Sequence, residues 1–600
     1  MKKYTLLSLG LLLAATIYGQ KETVSIHQDF PTSTESILEV EKPIFNTDPL
    51  SFTHTELNLP EGFELIEDKV ITSKTALHYH YGVEYNGVKV YGVNVHTVVS
   101  HDQSVKRIIH NTIPSIITTE EGFPINRSQQ LRTKQGASEV KNDEPVWIIK
   151  ENKLVPARLT ELVTENELHQ EVIYSGQGIL FTIDKIKKHH HAGPNDTTVQ
   201  GYVFAPDPLT TAQVNYGASY KDNNDADASS LNNERELRSF TASFENGIFV
   251  LKNDFVQISD LSPPSVAPVT NTTGNFLYTR SQDGFEDVNV LYHISNHKQH
   301  LDALGFSNLP GYTIHIDPHA LGGSDNSYFY TSSNPYRILM GEGGVDDAED
   351  ADVIIHEYTH AYVLAASNNN NGSVERNTIE ESLGDYFAAS YSRSVNDFNK
   401  ERVFTWDGHN EFWGGRWVES QKDYKQIQFG SNIYSHTDIF ASPLMEIYGI
   451  IGRNTTDEIV MEAIFNLGQN TTMPQMAMHI IQADQALNGG VNYKVIVDAF
   501  VRRSILDPSI GLATFNASGS LQISGTHEFA LGGALQVKAP EKSINEYTIY
   551  TLSGKPLESK VLGEPLQMLL IESTGLASGV YLLKVGLKEG YSVTYKVSRF

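Results

Sequence analysis

The segment that most constrains the fold is residues 352–361, which read DVIIHEYTHA. It carries two histidines four positions apart, His356 and His360, with Glu357 directly after the first. Residues four apart lie on one face of an α-helix, so both imidazoles can bind one metal ion while Glu357 lies beside it, where a base takes a proton from water. The apolar residues on both sides favour a buried helix. The alternative is a buried helix with two structural histidines.

A metal held by two histidines needs a third protein ligand, and the next predicted helix offers one. Residues 380–385 read EESLGD, so Glu381 and Asp385 lie four apart on one side of that helix. This spacing suits a ligand carboxylate, Glu381, and an outer carboxylate, Asp385, that accepts the free N–H of a ligand histidine and fixes its tautomer. Glu380 has no carboxylate four residues later, and it is assigned to a solvated acidic face.

Two features of the composition limit what such a site can be. The 600-residue chain contains no cysteine, so any metal must be held by His, Asp or Glu. The 45 basic and 72 acidic residues give a net charge of −27, which argues against nucleic acid as a partner. The length corresponds to about four domains of roughly 150 residues each.

The N-terminus is typical of a secretory signal peptide. Two lysines precede an apolar run at residues 6–17, and Gly19 supplies a small residue for cleavage, which predicts a signal peptide over residues 1–19. The alternative is a buried N-terminal helix. No later stretch reaches about 18 consecutive apolar residues, so we expect a secreted mature chain without a transmembrane segment.

Hydrophobic patterns divide the remaining chain. Residues 20–60 are predicted to be loosely ordered, Asn86-Gly87 predicts a β-hairpin, and the His-rich residues 185–195 are interpreted as an exposed linker rather than a metal site. An amphipathic helix is predicted near residues 285–304. Helical periodicity then predicts six helices, over residues 350–366, 379–392, 439–451, 457–466, 474–487 and 493–503. Short alternating strands return after residue 521.

The two motifs together resemble those of the thermolysin and fungalysin class of zinc endopeptidases, in which HEYTH is followed by an E-x-x-G-D cluster. The resemblance implies zinc on His356, His360 and Glu381, with Glu357 as the general base. It also implies an α+β fold: a two-lobed thermolysin-like zincin catalytic domain at residues 195–515, β-rich in its first half and helical in its second. Such an enzyme acts on protein or peptide substrates.

Three further residues match segments of that family. Residues 433–438 (IYSHTD) resemble the segment whose histidine stabilises the oxyanion, which implies this role for His436. Arg416 resembles the arginine that binds a substrate carbonyl. Residues 325–329 (DNSYF) resemble the edge strand that pairs with the peptide backbone, which implies that Asn326 lies at the substrate.

The chain departs from the thermolysin pattern in two places. Gly372 stands where thermolysin carries an oxyanion-binding tyrosine, and no acidic residue that would orient His436 is evident. A hard cation such as Ca²⁺ would suit an oxygen-rich cluster formed by Asp346, Asp347, Glu349, Asp350 and Asp352. The alternative is that these acids favour the N-terminus of the following helix.

Both flanks resemble other parts of secreted proteins. Residues 80–92 (HYGVEYNGVKVYG) resemble the fungalysin/thermolysin propeptide, which implies an α+β propeptide over residues 20–194 and a zymogen. Residues 520–600 resemble the C-terminal sorting domain of the type IX secretion pathway of Bacteroidota, a small β-sandwich. This implies export by the Sec and type IX machineries, through the periplasm and outer membrane of a Gram-negative bacterium, to the surface or the medium. The alternatives are a permanent accessory β domain and a ligand-binding β module.

Two other functions fit parts of the pattern. A zinc aminopeptidase would use the same ligands but requires an acidic anchor for the substrate's free amine, which the sequence does not identify. A catalytically inactive surface adhesin on a peptidase scaffold is the second. The complete set of His356, Glu357, His360 and Glu381 argues against the adhesin.

Overall fold

The computed structural model of the chain describes residues 35–43, 48–111, 122–134, 137–150, 153–164, 169–175, 178–185, 196–331, 335–368, 372–430, 432–506, 522–524, 528–529, 534–538, 544–551, 556–566, 568–572, 579–587 and 592–599. The predicted signal peptide and most of the predicted linker, at residues 186–195, lie outside the described residues. None of the described helices is long and apolar enough to cross a membrane.

The N-terminal region forms a nine-stranded sheet with two short helices. The helices are α1 (Pro49–Leu57) and α2 (Ser128–Lys134), and the strands are β1 (Glu35–Pro43), β2 (Phe63–Thr72), β3 (Ala76–Tyr85), β4 (Val88–Ser100), β5 (Ser104–Asn111), β6 (Ala137–Lys150), β7 (Lys153–Thr164), β8 (His169–Ser175) and β9 (Gly178–Lys185). The strand order is β1-β5-β4-β6-β7-β8-β9, and β3 pairs with both β2 and β4.

The predicted hairpin is present and joins β3 to β4. Asn86 and Gly87 have φ angles of 50° and 73°, the positive values that favour Asn-Gly in a two-residue turn. The expectation that residues 20–60 are loosely ordered is wrong for β1 and α1. β1 pairs with β5, far along the chain, and Asp48 caps α1 by accepting a hydrogen bond from the Ser51 N–H at 3.0 Å. Local periodicity does not reveal a distant strand partner.

The central body, residues 196–506, has most of its strands before α6 and most of its helices from α6 onward, although the long helix α5 lies among the strands. The strands are β10 (Asp196–Val203), β11 (Glu236–Glu245), β12 (Ile248–Val250), β13 (Val256–Ile258), β14 (Thr270–Asn271), β15 (Asn275–Phe276), β16 (Ile314–Ala320), β17 (Ser327–Tyr330), β18 (Arg337–Gly341), β19 (Arg402–Val403) and β20 (Arg416–Trp417). The helices are α3 (Pro208–Ala212), α4 (Ser229–Asn233), α5 (Gly284–Ala303), α6 (Ala351–Ser367), α7 (Val374–Val395), α8 (Thr437–Ile451), α9 (Arg453–Ile464), α10 (Met473–Asn488) and α11 (Tyr493–Val501). Short 3₁₀ turns occur at Asp347–Glu349, Tyr424–Gln426 and Ile433–His436.

Two sheets and the helices of the body share one buried core. The sheets have the orders β14-β12-β11-β10-β15 and β13-β16-β18-β17, and a β19-β20 pair lies between α7 and α8 along the chain. Helix α5 packs against both sheets and against α6, and Ile316, Tyr358 and Phe387 lie in the common core. The six helices predicted after residue 350 are confirmed as α6 to α11. Helix α7 begins earlier than predicted because Ser373 caps it, accepting from the Arg376 N–H.

The C-terminal region forms two small sheets. The strands are β21 (Gln522–Ser524), β22 (Glu528–Phe529), β23 (Ala534–Lys538), β24 (Ile544–Thr551), β25 (Pro556–Leu566), β26 (Met568–Glu572), β27 (Gly579–Leu587) and β28 (Ser592–Arg599). Their orders are β21-β23-β26 and β22-β28-β27-β24-β25. Val537 and Ile571 from the first sheet and Leu583 from the second pack into one core, so the two sheets face each other.

The N-terminal sheet contacts the helical part of the body. Ser73 Oγ donates to Glu462 Oε1 of α9 at 2.7 Å, and the ring centroids of His78 and Phe465 are 5.3 Å apart. Asn368, which caps the C-terminus of α6, donates to Asp68 Oδ2 at 3.1 Å. The interface that the described residues form therefore reaches the helix carrying the HExxH motif.

Candidate metal centre

Helix α6 presents the two motif histidines on one face. It begins where Asp350 Oδ1 accepts from the Asp352 N–H at 2.9 Å, and its apolar side chains are buried in the core of the body. His356 and His360 lie one turn apart, with ring centroids separated by 5.1 Å and ring planes nearly perpendicular. This is the arrangement that the four-residue spacing predicts.

Helix α7 packs closely against α6 because Gly384 has no side chain. A Cβ atom at Gly384 would lie 2.4 Å from Nδ1 and 2.6 Å from Cε1 of His356. Both distances are far inside van der Waals contact. The glycine therefore provides the space that the His356 ring occupies, and it brings Glu381 of the same helix up to the imidazoles.

Three side chains converge on one point between the two helices. His356 Nε2 is 3.1 Å from Glu381 Oε2, and His360 Nε2 is 3.6 Å from Glu381 Oε1. One ligand atom from each of the three residues lies within 4.8 Å of the others. In a tetrahedral zinc site with bonds of about 2.0–2.1 Å, neighbouring ligand atoms are about 3.3 Å apart. The donor types and the separations therefore fit a zinc ion.

Each imidazole has a carboxylate behind it. His360 Nδ1 donates to Glu380 Oε1 at 2.8 Å. His356 Nδ1 lies 3.1 Å from Asp385 Oδ1, but the two groups are not aligned as a hydrogen bond, so the contact is mainly electrostatic. Because both Nδ1 atoms face carboxylates, both Nε2 atoms are directed towards Glu381, the orientation that metal-ligating histidines require.

The assignment of Glu380 to a solvated face is wrong. Its side chain is only 6% exposed, and it bridges His360 and the fully buried Arg376, whose Nη1 donates to Glu380 Oε2. Arg376 and Glu380 are four residues apart on α7, so this helix pair was a signal in the sequence. The partner on α6 was not, because it depends on how the two helices pack.

Arg416 lies against the carboxylates of the centre. Its Nη1 donates to Glu381 Oε2 at 3.3 Å, and its Nε is 3.4 Å from Asp385 Oδ1. Each imidazole thus faces a carboxylate that contacts an arginine. His360 faces Glu380, which contacts Arg376, and His356 faces Asp385, which contacts Arg416. A role for Arg416 at a substrate carbonyl stays a prediction.

The surrounding charges keep Glu381 ionised. Burial alone would raise its pKa, but the hydrogen bond with His356 and the charges of His360 and Arg416 outweigh burial and lower the pKa to about 2. For His356, burial and Arg416 act to lower the pKa, whereas Asp385 and Glu381 act more strongly and raise it. The carboxylates of Asp385 and Glu381 thus favour a positive charge at the His356 ring.

Glu357 lies next to the centre without a partner of its own. It follows His356 on α6, it is 8% exposed, and it forms no hydrogen bond or ion pair with the residues that the structure describes. A carboxylate that is neither a ligand nor neutralised by a neighbour is free to accept a proton. The role of Glu357 as the general base stays a prediction.

His436 and the segment before it adjoin Arg416. His436 ends the 3₁₀ turn before α8, and Tyr434 of the same turn lies under the Arg416 guanidinium, 5.4 Å from the ring centroid. Within the described part of the chain, His436 forms no hydrogen bond, and its Nδ1 is buried. The acidic partner that the sequence failed to supply for His436 is thus also missing among the described residues.

Asn326 directly precedes β17, an outer strand of its four-stranded sheet in the described residues. Its Nδ2 donates to Tyr328 Oη at 2.5 Å, and its Oδ1 accepts from the Ser327 N–H. Strand β17 also packs against α6. Residues 327–330 thus form an edge strand, Asn326 before it is mostly buried, and a place for Asn326 at the substrate stays a prediction.

The five acidic residues before and within the start of α6 do not form one cluster. Glu349 is paired with the buried Arg280. Asp350 caps α6 and accepts hydrogen bonds from the Trp406 and Asp407 N–H groups. Asp352 accepts hydrogen bonds from the Ser392 hydroxyl and from the Phe404 N–H. For Asp350, the alternative role at the helix N-terminus is the one that the geometry shows. Asp347 instead faces a different pair of aspartates.

Gly372 has a local role of its own. A Cβ atom there would lie 2.0 Å from the Gln469 carbonyl oxygen, so the site excludes a tyrosine at this position without backbone movement. The asparagines at residues 369–371 lie outside the described residues.

A comparison with known proteins supports a metalloproteinase relationship for part of the chain. Over 211 residues the chain is 26% identical to the protein named extracellular metalloproteinase mep from Aspergillus niger, a match that covers 34% of this chain and 30% of the fungal protein. The chain thus spans less than a third of that relative's length in the match. No protein-family model matches the chain.

Proposed function

We propose that the chain is a secreted zinc-dependent endopeptidase that hydrolyses internal peptide bonds of extracellular proteins. The observation that carries the proposal is the convergence of His356, His360 and Glu381 on one point, with the unpaired carboxylate of Glu357 beside them. The partial similarity to an extracellular metalloproteinase supports both the activity and the secreted location.

His356, His360 and Glu381 would hold the zinc ion. Bound there, zinc would polarise the scissile carbonyl and lower the pKa of a water molecule towards 7. The chain itself supplies the orientation: Glu380 and Asp385 fix the two rings, and Gly384 allows the helices to approach.

Glu357 would move the proton. It takes a proton from the attacking water and delivers it to the amine that leaves when the peptide bond breaks. Its freedom from other partners supports this role, because a carboxylate held in an ion pair is a weaker base. Replacement of the carboxylate by an amide removes the proton acceptor and keeps the shape.

His436 and Arg416 would bind the oxygens of the substrate. His436 has no hydrogen-bond partner among the described residues, so a ring N–H is available for the oxyanion. Arg416 uses only part of its five N–H groups on Glu381 and Asp385, which leaves donors for a neighbouring substrate carbonyl.

The outer edge of β17 would bind the substrate main chain. A peptide that adds to this edge as a further strand gains backbone hydrogen bonds, which give affinity without requiring a particular sequence. The contact of β17 with α6 would place such a peptide alongside the zinc helix, with Asn326 at its end.

We further propose that residues 195–515 form a two-lobed thermolysin-like catalytic domain, that residues 20–194 are a propeptide, and that residues 520–600 are a type IX sorting domain. The shared core of the body, the separate N-terminal sheet and the two-sheet C-terminal unit support this division. The Sec and type IX machineries are then the expected partners for export.

The test is the substitution Glu357→Gln in the full-length protein and in its matured form. We expect the wild-type protein to bind one zinc ion per chain and to cleave an N-terminally blocked peptide, and we expect Glu357→Gln to keep zinc and lose cleavage by 10²-fold or more. Glu411→Gln is the matched control, because Glu411 is exposed and its contact with Lys221, at 3.6 Å, is loose. Unchanged hydrolysis by Glu357→Gln would rule out the mechanism, and cleavage restricted to peptides with a free amine would identify an aminopeptidase instead.

A further inference from the structure

A second group of acidic side chains lies near the candidate metal centre. One carboxylate oxygen from each of Asp325, Asp347 and Asp407 lies within 4.8 Å of the others. Asp347 and Asp407 are 2% and 3% exposed, and Asp325 is partly exposed. The three residues come from separate segments that the fold brings together: the residue before Asn326, the 3₁₀ turn before α6, and the loop that follows β19.

The group has no positively charged partner in the part of the chain that the structure describes. Among the described residues, no Lys or Arg side chain forms an ion pair with any of the three carboxylates. Ser327 Oγ donates to Asp347 Oδ2, and Trp413 Nε1 donates to Asp407 Oδ2 at 3.1 Å. Because such donors are neutral, they leave most of the negative charge uncompensated.

One carboxylate oxygen of the group is both buried and unpartnered. Asp407 Oδ1 accepts no hydrogen bond from the described residues, although Asp407 is almost fully buried. Burial raises the pKa of all three groups, that of Asp325 to about 6, and mutual repulsion raises those of Asp347 and Asp407 further. A buried carboxylate without a partner is costly unless a proton or a cation occupies the site.

We propose that Asp325, Asp347 and Asp407 bind a hard divalent cation of the Ca²⁺ class. All the ligand atoms are carboxylate oxygens, which Ca²⁺ prefers and which zinc, with its preference for nitrogen and sulfur, does not. Two oxygens bonded to one Ca²⁺ at about 2.4 Å are at most about 4.8 Å apart, and the separations of the three oxygens stay within that limit. The partial exposure of Asp325 gives the ion access and leaves positions for water.

A divalent cation fits better than a substrate amine. An ammonium group carries one charge and would leave two of the three carboxylates uncompensated, at least one of them buried. A cation also explains why the three carboxylates come from three segments, because a shared ion holds them together. An amine bound here remains a defined outcome of the experiment below.

The bound cation would connect elements of the proposed active site. Asp325 leads into β17, Asp347 leads into α6, and Asp407 lies in the loop that leads to Arg416. Fixing these three segments relative to one another would hold the proposed peptide-binding edge next to the zinc helix. This effect on activity rests on the proposed function, whereas binding of the cation does not.

The experiment uses Tb³⁺, a luminescent substitute for Ca²⁺, added to the zinc-loaded full-length protein. The Trp413 indole, hydrogen-bonded to Asp407, lies close enough to sensitise Tb³⁺ emission when excited in the ultraviolet. We expect saturable emission that Ca²⁺ displaces, and a Ca²⁺-dependent rise in melting temperature. Absence of both in the wild-type protein would overturn the proposal, and displacement of Tb³⁺ by a free-amine peptide rather than by Ca²⁺ would do the same.

Three variants locate the site. Asp325→Asn alters the partly exposed ligand and keeps the shape of the side chain, so we expect a folded protein that binds Tb³⁺ at least about tenfold more weakly, since it loses one charged ligand of three. Asp407→Asn should have a larger effect. The control Asp254→Asn, at an exposed aspartate outside the group, should bind normally. Wild-type affinity in Asp325→Asn would overturn the proposal.

The two proposals fail in different ways. Tb³⁺ and Ca²⁺ binding at these aspartates without peptidase activity would leave the cation site in place and remove the proposed function. Peptidase activity without any response to Tb³⁺ or Ca²⁺ would remove the cation site alone.

Discussion

Replacement of Gly384 by alanine tests whether the close approach of α6 and α7 builds the metal centre. Alanine is favoured over glycine within a helix by about 1 kcal/mol, so the substitution should strengthen α7 by itself. The added Cβ would, however, lie 2.4 Å from Nδ1, 2.6 Å from Cε1 and 3.0 Å from Cγ of His356. The substitution thus separates helix stability from the geometry of the centre.

The size of the effect follows from these distances. Ordinary contact between heavy atoms begins at about 3.5 Å, so the His356 ring must withdraw by about 1 Å. Ligand distances in a metal site tolerate about 0.2 Å, so such a shift breaks the bond to the metal or forces the helices apart. We expect zinc affinity to fall by at least about 100-fold and stability to fall by about 1–3 kcal/mol from overpacking.

The assay is zinc affinity by competition with a chelator, together with thermal unfolding of the zinc-free protein and peptide cleavage. The control is Gly449→Ala, because Gly449 is also inside a helix, α8, and a Cβ there meets nothing within 4 Å. Gly449→Ala should bind zinc normally and be slightly stabilised. Normal zinc affinity and activity in Gly384→Ala would refute the claim that this glycine makes room for a ligand.

Two further predictions follow from the groups around the centre and in the N-terminal sheet. Glu380→Gln should weaken zinc binding by about 10–100-fold, because an amide orients His360 less strongly than a carboxylate. Competition with a chelator measures the zinc affinity, and unchanged affinity would contradict the orienting role of Glu380. Burial, reinforced by nearby positive charges, holds the pKa values of His78 and His96 well below their ordinary value, so the unfolded chain binds more protons below about pH 6.5. Stability should then fall by about 1.4 kcal/mol per pH unit for each histidine as the pH decreases from 6.5 towards the lower folded-state pKa values. Urea unfolding followed by tryptophan fluorescence measures this loss, and equal midpoints at pH 7 and pH 5 would exclude it.

The sequence predicted the helices of the site better than the contacts between them. The apolar positions around the HExxH motif place α6 correctly, because a buried helix shows its period locally. The start of α7 was missed because it depends on the Ser373 cap, and the role of Gly384 was missed because it depends on another helix. Likewise β1 was missed, since its partner β5 lies far away in the chain.

Glu380 and Glu381 show this limit within a single pair of residues. Adjacent residues on a helix point about 100° apart, so each carboxylate of the pair meets a different part of α6. Neighbours on the same helix favoured Glu381 as the ligand, and the structure does place it between the two Nε2 atoms. The same reasoning dismissed Glu380, because the atom that it contacts, His360 Nδ1, belongs to the other helix.

The charges in contact around the candidate centre also favour a divalent ion. The carboxylates of Glu380, Glu381 and Asp385 contact the guanidinium groups of Arg376 and Arg416. With Glu357, which pairs with neither arginine, the four carboxylates and two guanidinium groups carry a formal charge of −2 when both ligand histidines are neutral. A doubly charged cation between the imidazoles brings this to zero, whereas a proton or a monovalent ion does not. The two arginines offset two of the four negative charges. The two that remain equal in number the charges of the ligand carboxylate, Glu381, and of the proposed base, Glu357. The fold therefore fixes the rings by its own ion pairs and leaves a deficit that a single Zn²⁺ would neutralise.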